Sequence, residues 1–139
     1  MNSIPPFHLA IPVHNIEEAK YFYGTLLNCS QGRSSDTWVD YNFYGHQLVI
    51  HLDLNIQKKS FNPVDGKNVP IPHFGLVLDW NDWDLLRNKL EQENLEFIIA
   101  PYIRFEGEVG EQATMFFLDP SGNALEFKAF KNIDQLFAC

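Results

Sequence analysis

The order strand, helix, three strands occurs twice along these 139 residues, and this repetition restricts the fold more than any other feature. In the first half, Phe7–Val13 alternates, with Phe7, Leu9, Ile11 and Val13 on one face and His8 and Ala10 on the other. Pro12 cannot donate to a ladder, so this strand is expected at a sheet edge or to loosen there. Asn15 is a good helix N-cap before acidic Glu17 and Glu18. Ile16, Ala19, Phe22, Tyr23 and Leu26 then form the stripe of an amphipathic helix, which Gly24 weakens slightly. Asn28–Ser35 reads as loop or weak strand, Thr37–Phe43 as strand, Tyr44-Gly45 as a turn and His46–Asp53 as strand. Residues 54–69, with Lys58, Lys59, Asn62-Pro63 and Asp65-Gly66, are the least regular and read as a linker. In the second half Pro72–Leu78 is the first strand, and Asn81 caps a helix buried through Trp83, Leu86 and Leu90. Leu95–Ala100 is a short strand, and 101–113 a polar, glycine-containing loop. Two strands spanning Thr114–Phe130 follow, joined by the turn Asp119-Pro120-Ser121-Gly122-Asn123, and 131–139 is a tail or short helix. The expectation is a single domain over 1–139: module one at about 6–54, linker at about 55–70 and module two at about 71–131.

On the final strand Leu125, Phe127 and Ala129 point one way and Glu126 the other. A carboxylate in so apolar a hairpin is costly to bury unless something positive meets it. His8 and His73 open the first strand of each half, His51 lies on the last strand of half one, and Glu126 on the last strand of half two. Each sits on the face opposite the bulky apolar side chains. Paired sheets of this kind form a cleft in which the four side chains converge. Imidazole and carboxylate together suit Fe(II), Mn(II), Zn(II) or Ni(II). Two other readings compete. Each histidine alone is an ordinary core or surface residue, and Lys128, on the face of Glu126, neutralises it as an ion pair. His14 and His46 read as structural. Trp38 and Tyr41 point to opposite faces of their strand, so one of them lines the cleft.

The chain carries a net charge of −8, which argues against nucleic-acid and anionic-membrane partners, since both need clustered Lys and Arg. No stretch is long and apolar enough to span a bilayer, and MNSIPPFH lacks the form of a signal peptide. Cys29 and Cys139 give neither a disulfide framework nor a metal-binding spacing, so a reduced, cytoplasmic protein is expected.

Three stretches, FHLAIPVHNIEEAKYFYGTLL, PHFGLVL and FFLDPSGNALEFKAF, resemble the vicinal oxygen chelate superfamily. That group includes glyoxalase I, bleomycin-resistance proteins, fosfomycin-resistance enzymes and extradiol dioxygenases. The resemblance covers roughly Phe7 to Lys131. It is nearest the small proteins identified as extradiol-dioxygenase-like, through RFEGEVGEQATMFF. It implies an α+β fold of two βαβββ modules forming a U-shaped, mostly antiparallel cleft, and a homodimer. It also implies that His8, His73 and Glu126 bind a divalent metal, Fe(II) foremost, with Zn, Mn or Ni as alternatives. His51 falls near the position where glyoxalase I has a metal-ligating Glu; it becomes a fourth ligand, an acid-base group or a lining residue. Arg104, Phe105 and Gln112 become a substrate lid, in which Arg104 pairs with an anionic oxygen, Phe105 covers the substrate and Gln112 donates a hydrogen bond. The implied activity is metal-dependent ring cleavage of a vicinal diol by an extradiol-type dioxygenase. A glyoxalase-like lyase, isomerase or thiol transferase on the same metal is one alternative. A small-molecule binding protein like the bleomycin-resistance proteins is another.

Overall fold

A computed structural model describes residues 4–56 and 60–139, with 60–62 described by their backbone alone. Lys58 and Lys59 therefore lie outside the described residues. The fold is α+β, and the chain divides into two compact units, Met1–Lys58 with Asp119–Asn123, and Lys59–Leu118 with Ala124–Cys139.

The first unit holds a four-stranded sheet of order β1-β4-β3-β2, built from β1 (His8–Val13), β2 (Ser30–Ser34), β3 (Trp38–Phe43) and β4 (His46–Leu52). β1 pairs with β4 in parallel and the other pairings are antiparallel. Pro12 is on an edge strand, as its missing donor requires. Asn15 caps α1 (Ile16–Lys20) by accepting the Glu18 N–H at 3.0 Å. The helix does not continue evenly: Tyr21–Leu26 widens into a π-helical turn. There the adjacent rings of Phe22 and Tyr23 are both buried, packed edge to face at 4.8 Å. An ordinary turn sets consecutive side chains about 100° apart; the wider turn lets both reach the core. Tyr44 and Gly45 both take positive φ, the two-residue turn whose twist suits a hairpin. Asn28–Ser35, ambiguous in sequence, supplies β2.

The second unit repeats the arrangement, with sheet order β7-β10-β9-β8 over β7 (His73–Leu78), β8 (Phe97–Arg104), β9 (Gln112–Leu118) and β10 (Ala124–Phe130). α2 (Trp80–Gln92) buries Trp83, Leu86 and Leu90 as expected. Its N-cap is Asp79 rather than Asn81: the Asp79 side chain accepts the Asp82 N–H at 2.8 Å. The segment expected to be an irregular linker is instead a two-stranded hairpin, β5 (Ser60–Val64) and β6 (Lys67–Ile71), turning at Asp65-Gly66. β8 runs further than expected and absorbs Pro101–Arg104. Past β10, Ile133–Gln135 forms one 3₁₀ turn. Among the described residues no helix is long and apolar enough to cross a membrane.

Candidate metal and substrate site

Alternation in β10 puts Glu126 on the face away from Leu125, Phe127 and Ala129, which are all buried. The strand register sets Glu126 beside Gly75 of β7 and Phe116 of β9. His73 opens β7, and its Nε2 lies 3.2 Å from Glu126 Oε1. Its Nδ1 lies 2.7 Å from the Pro70 carbonyl, so Nδ1 carries the proton and donates. The second carboxylate oxygen accepts from the Thr114 hydroxyl at 2.5 Å. The Phe116 ring stands edge-on to the imidazole at 5.0 Å. His73 and Glu126 are thus each held by a second group as well as by one another.

Their electrostatics follow. The hydrogen bond to Glu126 raises the His73 pKa above its ordinary 6.5; burial opposes this, and the Pro70 carbonyl adds to it. Burial pushes Glu126 up, but hydrogen bonds from His73 and Thr114 outweigh it and leave the carboxyl below its ordinary 4.5. Lys128 acts on Glu126 only as a charge nearby. The near partner of Glu126 is the imidazole, so the rival lysine reading loses ground.

His8 shows a similar arrangement in the first unit. Its Nδ1 meets Gln47 Oε1 at 2.9 Å, which leaves Nε2 as the ring atom with the lone pair. The donors of each unit suit a divalent cation: in the second an imidazole whose Nδ1–H is engaged by an oxygen, beside a carboxylate fixed by a hydroxyl, and in the first an imidazole oriented in the same way. Among the described residues no three His, Cys, Asp or Glu side chains are gathered into one cluster. The pair brought together is His73 and Glu126.

The registers distinguish His51 from the position that matches Glu126. In the second unit His73 pairs with Ala124, and Glu126 lies two residues further along β10. In the first unit His8 pairs with Gln47, and two residues further along β4 is Val49. Val49, not His51, therefore matches Glu126; His51 matches Lys128. His51 shares the face of His8, is exposed, and pairs across the sheet with Trp38. Tyr41 is buried, so of the two aromatics it is Trp38 that lines this face.

The expected lid residues are spread over three elements. Arg104 ends β8 and Gln112 begins β9, paired with each other in register; only Phe105 lies in the loop, at φ 54°. Arg104 is already partnered: its Nε donates to Asp65 Oδ2 at 2.6 Å, and its guanidinium covers the Phe105 ring at 4.9 Å. Gln112 is buried, and its amide donates to the Gly110 carbonyl at 3.2 Å. Its Oε1 is buried and has no hydrogen-bond partner among the described residues.

His14 and His46 are structural. His14 bonds Ser121 and Glu18, and His46 accepts the Phe7 N–H. Sequence reasoning missed Thr114, Gln47 and Gly75. A Cβ on Gly75 would stand 1.6 Å from the Glu126 carbonyl oxygen, so β7 approaches this closely only with glycine there. A glycine two residues after His73 was the available signal.

The sequence profile of the Glyoxalase/Bleomycin resistance protein/Dioxygenase superfamily matches residues 6–127. The chain belongs to that superfamily. Its fold is also found in a glyoxalase/bleomycin resistance protein/dioxygenase from Alicyclobacillus acidocaldarius, with 33% identity, TM-score 0.77, and coverage of 94% of this chain and 95% of that one. A fosfomycin resistance protein, FosX, from Listeria monocytogenes shares the fold at 14% identity and TM-score 0.71, covering 97% and 98%. A glyoxalase/dioxygenase from Nostoc punctiforme does so at 17% identity and TM-score 0.68, covering 95% and 99%.

Proposed function

We propose that this superfamily member is a metal-dependent oxidoreductase that opens the ring of a vicinal diol in the extradiol manner. His8, His73 and Glu126 are its metal ligands and Fe(II) its metal. The observation that carries this reading is the register of β4. The position matching Glu126 is Val49, which has no donor atom, and this supports a set of three ligands rather than four. Two imidazoles and one carboxylate leave coordination positions open, as ring-cleaving chemistry needs. A divalent cation held by these residues would supply Lewis acidity toward the diol and redox chemistry toward dioxygen.

The Pro70 carbonyl and Gln47 fix which ring nitrogen of each histidine faces outward. Thr114 holds the Glu126 carboxylate in one orientation. His51 lies two residues beyond Val49, about 7 Å along the strand. That is too far to replace a ligand at Val49 and suited to taking a proton from a bound diol. Phe105 is exposed in its loop and covers the substrate. Arg104 reaches an anionic substituent only by leaving Asp65, and Gln112 donates to one only by leaving the Gly110 carbonyl.

The proposal places the protein in the cytoplasm as a homodimer. Its two free cysteines suit the first, and exposed apolar side chains such as Phe7, Leu85 and Phe137 suit the second. The test is aerobic assay of Fe(II)-reconstituted chain on a panel of catechols. The expected result is the absorbance of a ring-opened product, lost in His73→Ala. Iron bound with no turnover across a broad panel would contradict the dioxygenase reading.

A further inference from the structure

The first unit's sheet carries a concavity of about 430 Å³ whose lining includes Ser30, Gly32, Asp40, Asn42 and Gln47. The strand pairings put Ser30, Asn42, Gln47 and His8 in one row across all four strands. Asp40 lies one step along on the same face, opposite Val49. Gln47 joins the two features. It lines the concavity, and its Oε1 engages His8 Nδ1. Whatever fills this space therefore sits one strand away from a proposed metal ligand.

The lining has a definite chemistry. It offers a hydroxyl, side-chain amides, one carboxylate and the His46 imidazole, whose Nδ1 already accepts the Phe7 N–H, and none of the described residues that line it is Lys or Arg. A carboxylate ligand would face Asp40 with no lysine or arginine among the described lining residues to offset it, on a chain of net charge −8. A hydroxyl group both donates and accepts, which matches amides and a carboxylate together. Hydrogen bonds donated to an ionised carboxylate are about twice as strong as neutral ones. Gly32 adds no side chain beside Asp40, where a Cβ would stand in ordinary contact with the Asp40 Cβ at 3.4 Å.

From this we infer that the concavity is a subsite for an uncharged, hydroxyl-bearing substituent of the substrate, with Asp40 selecting against carboxylates. The inference rests on the reading of the chain as a metal enzyme for vicinal diols, and it names which diols.

The experiment uses the full chain loaded with Zn(II), which binds diols without turning them over, and measures binding by titration calorimetry. The probes are catechols carrying a hydroxymethyl, an aminomethyl or a carboxylate group at the same ring position, with plain catechol as reference. The hydroxymethyl compound should bind more tightly than the carboxylate by on the order of tenfold. In Asp40→Asn, an isosteric change, that gap should shrink to about twofold or less. Backbone amide shifts at Asp40 and Gln47 should move with the hydroxymethyl probe and stay still with plain catechol. Equal binding of all substituted probes, or a gap that survives in Asp40→Asn, would overturn the subsite. Tightest binding of the aminomethyl probe, lost in Asp40→Asn, would overturn the hydroxyl assignment in favour of a cation. Failure of every catechol, the unsubstituted one included, to bind the loaded chain would overturn the diol reading along with it.

Discussion

Asp119 is 4% exposed, and its carboxylate accepts from four donors. The N–H groups of Ser121 and Asn123 reach Oδ1, each at 2.8 Å. The Tyr23 hydroxyl and the Asn123 side chain reach Oδ2, at 2.7 and 2.8 Å. Asn123 also donates to the Pro12 carbonyl at 2.7 Å. The D-P-x-G-N motif was legible as a turn from its Pro, Gly and Asn. Its buried carboxylate and that carboxylate's phenol partner were not, because Tyr23 lies 96 positions away. Asp119→Ala should lower unfolding free energy by about 3 kcal/mol, since it strands several buried donors, read by urea denaturation. Tyr23→Phe removes one donor only and should cost about 1 kcal/mol. Burial, then Asp119, holds the Tyr23 phenol well above its ordinary 10.0, so ultraviolet titration of the folded chain should find this tyrosine silent through pH 10.

The pair β7 and β10 is where the candidate site is set. Glu126 was legible because alternation isolates one carboxylate among apolar neighbours, and His73 because it opens the matching strand. Thr114 and Gly75 were not, because cross-strand neighbours follow from register, which the sequence does not display. His51 was matched to Glu126 for the same reason: equal order along two strands stood in for equal register. The β5–β6 hairpin hid behind lysines and Asn62-Pro63, although its Asp65-Gly66 turn was visible. At α2, Asp79 and Asn81 are both capping residues, and the end of β7 at Leu78 favours the earlier one. Gly75→Ala should force β7 away from the Glu126 backbone, costing about 1–3 kcal/mol by overpacking and weakening metal binding. Unchanged stability and metal affinity in this variant would contradict the close approach.

The same pair gives the metal-free chain a pH signature. His73 has a raised pKa, so its contribution is complete below its unfolded value near 6.5 and is lost as pH rises through the folded value. Glu126 has a lowered pKa, so its contribution is complete above its unfolded value near 4.5 and is lost as pH falls through the folded value. Their joint stabilisation is therefore fullest between about 4.5 and 6.5. Denaturation midpoints of wild type minus His73→Phe should be largest in that window and shrink on either side. A difference independent of pH would show that the imidazole and carboxylate do not pair.

For the whole molecule, the repeat of a βαβββ order was the strongest guide to the superfamily, and a charge of −8 removed polyanion partners from consideration. Which reaction the chain performs was less legible, because that depends on ligand number and the lining of a few strand positions. Val49 and Asp40 look like ordinary strand residues until β4 is aligned with its neighbours. The proposal that His8, His73 and Glu126 hold one cation is tested most directly by elemental analysis of the purified full chain beside its Glu126→Ala variant. Close to one divalent ion per wild-type chain is expected, and its loss from a variant that keeps its circular dichroism spectrum. A wild-type chain that takes up no divalent metal, or a Glu126→Ala chain that retains it fully, would contradict the account.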